Sequence, residues 1–135
     1  MANNIVQSFI AASTITEFAL VSIDGNGKVA VTTAATDKAC IGVAQRGASA
    51  GEPVDVIISG VSRVIAGGSI TFNTASLVMA TTAGKAATHA TSGNYAIGRI
   101  IPNINQTSAA VNDQFSIVFT GPNNCLLYTS DAADE

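Results

Sequence analysis

The chain has 135 residues, enough for one domain with one core; only 11% are charged, against a usual quarter, while 47% are hydrophobic and the mean hydropathy is +0.39. Apolar runs such as Val56-Ile57-Ile58 stop far short of the roughly 20 residues of a membrane helix, and Met1-Ala2-Asn3-Asn4 lacks the basic start and apolar block of a secretion signal. These features exclude a membrane-spanning helix and lead one to expect a soluble chain, made in the cytosol, whose charge-poor surface is partly covered by a partner, the alternative being a weakly charged monomer.

In chain order, residues 1–17 read as an N-terminal arm. Within it Thr14-x-x-Glu17 has the form of a helix capping box, but the apolar run that follows lacks helical spacing, so a strand is favoured there. Residues 18–124 read as a single β-domain. Its content of Thr, Val and Ile suits pleated, half-buried surfaces, and Gly and Asn clusters punctuate it. Strands are expected at 5–10, 18–23, 28–33, 39–44, 54–59, 61–65, 69–72, 77–80, 95–100 and 115–120. Asp24-Gly25-Asn26-Gly27 is a strong hairpin signal because its residues tolerate positive φ, and Ala83-Gly84 plays a similar part. Thr36-Asp37-Lys38 is expected to hold one helical turn. Pro53, lacking an N–H, suits the first position of a strand. The expected class is all-β: a compact β-sandwich or β-barrel of about 8–10 short strands.

Residues 125–135 read as translated sequencing adapter, since codons for Cys125-Leu126-Leu127-Tyr128-Thr129-Ser130 and onward spell a widely used transposase adapter. Setting that tail aside removes Asp131, Asp134 and Glu135 from the nine acids and leaves six against six Lys and Arg, a neutral chain with Cys40 as its one thiol. The natural C-terminus is then expected to differ from the one seen.

The β-domain also repeats itself. Leu20-Val21 recurs as Leu77-Val78 and Gly27-Lys28 as Gly84-Lys85, 57 residues on; Ile41-Gly42 recurs as Ile97-Gly98, 56 on. The polarity pattern of residues 54–60 returns at 115–121. Two similar halves, neither able to bury its own face, are expected to share a core.

Chemistry-bearing motifs are scarce. His89 is the only histidine and reads as a solvated loop residue; Cys40, in an apolar strand, reads as a buried inert thiol. One Cys and one His cannot complete a zinc site, and Gly27-Lys28 and Gly84-Lys85 lack the rest of a phosphate loop. Scattered basic residues and the absence of Trp give neither a phosphate-binding patch nor a base-stacking platform. No catalytic, cofactor-binding or metal-binding residue is assigned, and no cofactor is expected.

Ala39-Cys40-Ile41-Gly42-Val43-Ala44, then Ala50-Gly51-Glu52-Pro53-Val54-Asp55-Val56, then Ser59-Gly60-Val61, resembles the pattern of small tailed-phage capsid decoration, or cement, proteins. Ile97-Gly98 before a closing strand at 115–120 extends the resemblance over residues 18–121, whereas residues 8–17 are longer and richer in hydroxyls than the pattern. The resemblance implies a non-enzymatic virion structural protein, made in the host cytoplasm, that binds the outside of a phage capsid and stabilises it. Its implied partners are a major capsid protein and further copies of itself, as a homotrimer, with no nucleic acid and no membrane. Two other readings stay open: another virion β-module (tail-tube or receptor-binding), and a small hydrolase with a cleft joining His89 to acidic residues.

Overall fold

A computed structural model describes residues 4–72, 77–89 and 94–123. The chain is all-β. Its strands are β1 (Ile5–Ala11), β2 (Leu20–Ile23), β3 (Lys28–Val31), β4 (Cys40–Ala44), β5 (Pro53–Ile65), β6 (Ile70–Thr71), β7 (Leu77–Ala80), β8 (Ala86–Thr88), β9 (Ala96–Ile101), β10 (Ser108–Ala109) and β11 (Gln114–Asn123). Among the described residues the only helical segment is one 3-10 turn, Thr82–Gly84, and no helix is long and apolar enough to cross a membrane. The expected tail at 125–135 lies outside the described residues.

The first half closes on itself. Strands run β1-β3-β2-β4-β5 and β1 returns to pair antiparallel with β5, making a five-stranded mixed barrel whose parallel step is β1 on β3. Closure leaves no open edge in this half. The alternation of each strand sends Val21, Val29, Ala44, Val54 and Val56 inward, where they are buried with Ala11, Ile15 and Ala48. Each Val or Ile so buried stabilises the fold by about 1.5–3 kcal/mol relative to exposure.

The second half repeats the same plan. β7 pairs with β8 and β9, and β9 with β11, as β2 pairs with β3 and β4, and β4 with β5. The register break between Val21 and Ser22 recurs between Val78 and Met79. The likeness reaches further than the sequence reading placed it. The end of β5 stands to β11 as β1 stands to β5: Phe9 opposite Val54 becomes Val64 opposite Phe115. The parallel pair Ala11 and Val29 becomes the parallel bridge Ala66 to Ala86. Ala11 N–H donates to the Glu52 carbonyl (2.9 Å), and Ala66 N–H to that of Asp113 (2.8 Å). Even the side-chain caps agree, since the Glu52 and Asp113 carboxylates accept the Ser49 and Ala110 N–H groups. The interior of this second barrel is Val64, Ala66, Ile70, Val78, Ala86, Ile100, Phe115 and Ile117.

The two barrels share β5. The sequence reading separated residues 54–59 from 61–65; they form one 13-residue strand that changes barrel at Gly60, whose φ is 125°. The side-chain amide of Asn4 closes this point, accepting the Val61 N–H at 2.9 Å and donating to the Val61 carbonyl at 3.0 Å. Other local departures have simple causes. Residues 14–17 form neither helix nor regular strand, because Ile15 is drawn into the core and bridges Ala48. Residues 36–38 make turns rather than a helical turn, as Asp37 accepts the Ala39 N–H. The short β8 and β10 were not expected. The Asp24–Gly27 hairpin forms as read, with Gly27 at φ 79°.

Gly42 and Gly98 hold equivalent places in β4 and β9, where a Cβ would collide with the Ile57 carbonyl and Val56, or with the Val118 carbonyl and Ile117. Neither strand could cross so closely with any side chain at that point. Gly42→Ala and Gly98→Ala are each expected to lower stability by roughly 1–3 kcal/mol in chemical denaturation, through overpacking against backbone. A control Gly25→Ala, whose Cβ meets nothing within 4 Å, should be near neutral.

Candidate functional site

The residues with chemical potential are dispersed and structurally engaged. His89 is not the solvated loop residue expected: it is buried, because it follows β8 where Thr32 follows β3, and both donate their N–H across the hairpin, His89 to Leu77 and Thr32 to Leu20. Its Nε2 contacts the Asn94 carbonyl at 2.8 Å, and its Nδ1 has no hydrogen-bond partner among the described residues. Thr32, the equivalent residue in the first half, bonds Ser22 through its hydroxyl at 2.7 Å, and Ser22 donates to Asp37.

Asp24 and Asp37 lie at the same end of the first barrel, in the β2–β3 turn and the β3–β4 loop, and both serve the backbone. Asp24 Oδ1 accepts the N–H groups of Lys28 (3.0 Å) and Asn26 (2.8 Å), which hold its carboxyl below the ordinary carboxylate value. Cys40 is buried at 1% exposure, and desolvation pushes its thiol up to about 11. Among the described residues no group of His, Cys, Asp and Glu could hold a metal ion.

One open groove of about 580 Å³ is lined by Thr71, Phe72, Pro102, Gln106, Thr107 and Ser108. It holds no titratable side chain. Neither His89 nor any of the acids of the hydrolase reading lines it.

What the surface offers instead is apolar. Ile5, Val6 and Ile10 on β1, Val61 on β5, Ile104 and Val111 are large hydrophobics at 41–93% exposure. Ile104, at 93%, tips the loop between β9 and β10. The segment between Ile100 and Ala109, which contains that loop, is five residues longer than its counterpart between Ala44 and Ala48, which is why the repeat distance grows from 56 at Gly42/Gly98 to 61 at Ala48/Ala109. The loop is braced: Gln106 N–H donates to the Asn103 carbonyl (3.0 Å), Asn103 Nδ2 to Gln106 Oε1 (3.0 Å), and Gln106 Nε2 to the Gln114 carbonyl (3.2 Å). The bracing holds Ile104 out in solvent on an ordered loop. Sequence reasoning did not single it out; the one available signal was the inserted length relative to the first half.

Fold and surface together define a tandem-barrel, all-β domain. No family model matches the chain, and no curated protein matches it in sequence. Among solved structures it is similar to the N base of the head fiber gp8.5 of bacteriophage phi29, over 89% of this chain and 98% of that one, with a TM-score of 0.66 and 14% identity. That likeness establishes the fold.

The burial of Cys40 has a measurable consequence. In a Cys125→Ser chain, a thiol reagent at about pH 8 should label Cys40 only as fast as the barrel opens, and fully in denaturant. Rapid labelling of the native protein would contradict the packing described.

Proposed function

We propose that this chain is a non-enzymatic virion structural protein that attaches to the outside of a phage capsid and stabilises it, acting as a homotrimer. The observation that carries this reading is the fold likeness to a phage head fiber base, which spans nearly the whole of that chain. The decoration-protein pattern at residues 39–61 supports it from the sequence side. The physical surface agrees: few charges, several isolated exposed hydrophobics, and a stiff pair of closed barrels that would lose little entropy on docking. Repeated attachment to a shell gains further by multivalency. Ile104, on the braced loop at the end of the second barrel away from the first, is the proposed anchor in the capsid surface.

Sedimentation of the purified chain with capsids of the phage that encodes it tests the proposal. The expected outcome is saturable co-sedimentation with heads and increased resistance of the heads to heat. Ile104→Asp should weaken binding roughly tenfold or more, as removal of an interface anchor does. Failure to co-sediment with heads overturns the reading; sedimentation with tails alone would favour the other virion module.

A further inference from the structure

We infer that a second copy of this chain docks head-to-tail on the outer row Leu77, Arg99, Val118 and Val61 of the second barrel, using the turn-bearing end of its own first barrel. The inference rests on the self-association part of the proposed function and not on capsid attachment. It comes from the repeat: the chain already contains one such junction, and each half carries the unused side of another.

In the first barrel, Leu20, Val43, Ile57 and Val6 lie directly opposite one another across β2, β4, β5 and β1. The row starts from Leu20, next to the inward-facing Val21, and so faces outward. Yet Leu20 and Val43 are 0% exposed and Ile57 5%. The second barrel's end covers them. Leu20, Cys40 and Val43 belong to one buried cluster with Ile97 and Phe119. The turn at Gly84 donates its N–H to the Thr32 carbonyl (2.8 Å) and sits against Ala19 and Val31, while Tyr95 N–H reaches the Ala35 carbonyl (2.9 Å).

The corresponding row of the second barrel is Leu77, Arg99, Val118 and Val61, again directly opposite one another across β7, β9, β11 and β5. Here Leu77 and Val118 are only half-buried and Arg99 is exposed; the fourth members do not differ, Val61 being 46% exposed and Val6 52%. The complementary surface is also left over. Ala80, Ile97 and Phe119 at the second barrel's end are sealed; their counterparts Ile23, Ile41 and Ile58 at the first barrel's end are only partly buried.

Charge separates the two junctions. Within the chain, Val43 meets an end that carries Thr81 in its turn and no acid at His89, Asn94 or Tyr95. On the unused surfaces, Arg99 stands in place of Val43, Asp24 in place of Thr81, and Asp37 lies in the adjoining loop. Lys28 has its equivalent in Lys85, so the first barrel's end, with Asp24, Asp37, Lys28 and Lys38, is neutral overall where the second's is positive by one. Outside the chain Arg99 meets an end that offers two carboxylates and no net charge, whereas in the wrong pairing it would meet an end with Lys85 and no carboxylate, which disfavours that pairing. Such a heterologous contact closes into a ring when the rotation permits. In a ring of three, six barrels would alternate between the two junctions.

The test uses two variants that each block one side. Arg99→Glu reverses the row, and Gly25→Arg adds bulk and a positive charge to the turn, where a Cβ meets nothing within 4 Å. By sedimentation velocity the wild-type chain should run as an oligomer, each variant alone as a monomer with an unshifted melting temperature, and their equimolar mixture as a heterodimer. Arg99→Ala provides the same measurement should Arg99→Glu melt early. A monomeric wild type, variants that keep the wild-type mass, or a mixture that stays monomeric overturns the inference. Capsid co-sedimentation of the same proteins is read separately: an oligomer that ignores capsids sinks the proposed function alone, and a capsid-binding monomer sinks this inference alone.

Discussion

Everything in this molecule hangs on one strand being asked to serve two closed sheets. From Pro53 to Ser59, β5 is the wall between β4 and β1; from Gly60 to Ile65 it is the partner of β11. A strand has two hydrogen-bonding edges and two faces, so passing from one barrel to the next requires a local change of direction. Gly60 supplies it at φ 125°, a region costly for any residue with a Cβ, and Asn4 satisfies the Val61 backbone that the change would otherwise strand. Because the crossing is continuous backbone rather than a linker, the two barrels are held in one orientation. The buried row Leu20, Val43 and Ile57 can then be packed once and for all against the second barrel's end.

The interiors show how a repeat keeps its geometry while its residues change. Ala11, Ile15 and Ala48 are matched by Ala66, Ile70 and Ala109, small or β-branched residues at the places where chains cross closest. Elsewhere size is exchanged: Val29 becomes Ala86, while Val54 and Val56 become Phe115 and Ile117. Cores accept such trades when volume and patterning are kept. The two Gly residues facing carbonyls do not trade, since there the obstacle is backbone and nothing can yield.

Much of this was legible in the sequence, and the gaps have physical causes. The class, the two hairpin turns, and the repeat in Leu20-Val21 and Ile41-Gly42 could be read because strand alternation and turn residues are local signals. The repeat's full extent was written there too. Ile10-Ala11 with Ile15-Thr16 returns as Ile65-Ala66 with Ile70-Thr71, but 55 residues on rather than 57, and inside segments read for their hydroxyl content or as a capping box. Two-residue strands such as β6 and β10 are too short to show any period; they exist because Ile15 and Ile70 must reach a core. His89 was misread because its local setting is polar, whereas its burial is imposed by its place one residue past β8. The exposed Ile104 had no local signature at all, for a single apolar residue in a loop means nothing until its exposure is known.

The places where the halves disagree are therefore the informative ones. Shared features are those that closing a five-stranded barrel requires: the inward rows, the glycines, the carboxylates that cap Ser49 and Ala110. Barrel closure does not require five extra residues between Ile100 and Ala109, an isoleucine at their tip, or an arginine where the first half has Val43. Nor does it require an aspartate where the second half has Thr81. Those differences all sit on the surface, and they leave the barrel hydrogen bonds untouched. The copies thus keep the same strand pairings while they diverge both in the size of their inward residues and in the character of their outward ones. The open groove beside Phe72 is lined by residues of the β9–β10 loop and β6 and by no titratable side chain. The outward differences between the halves are carried by few residues, Ile104, Arg99 and Asp24 among them, each of which can be changed without touching a barrel hydrogen bond.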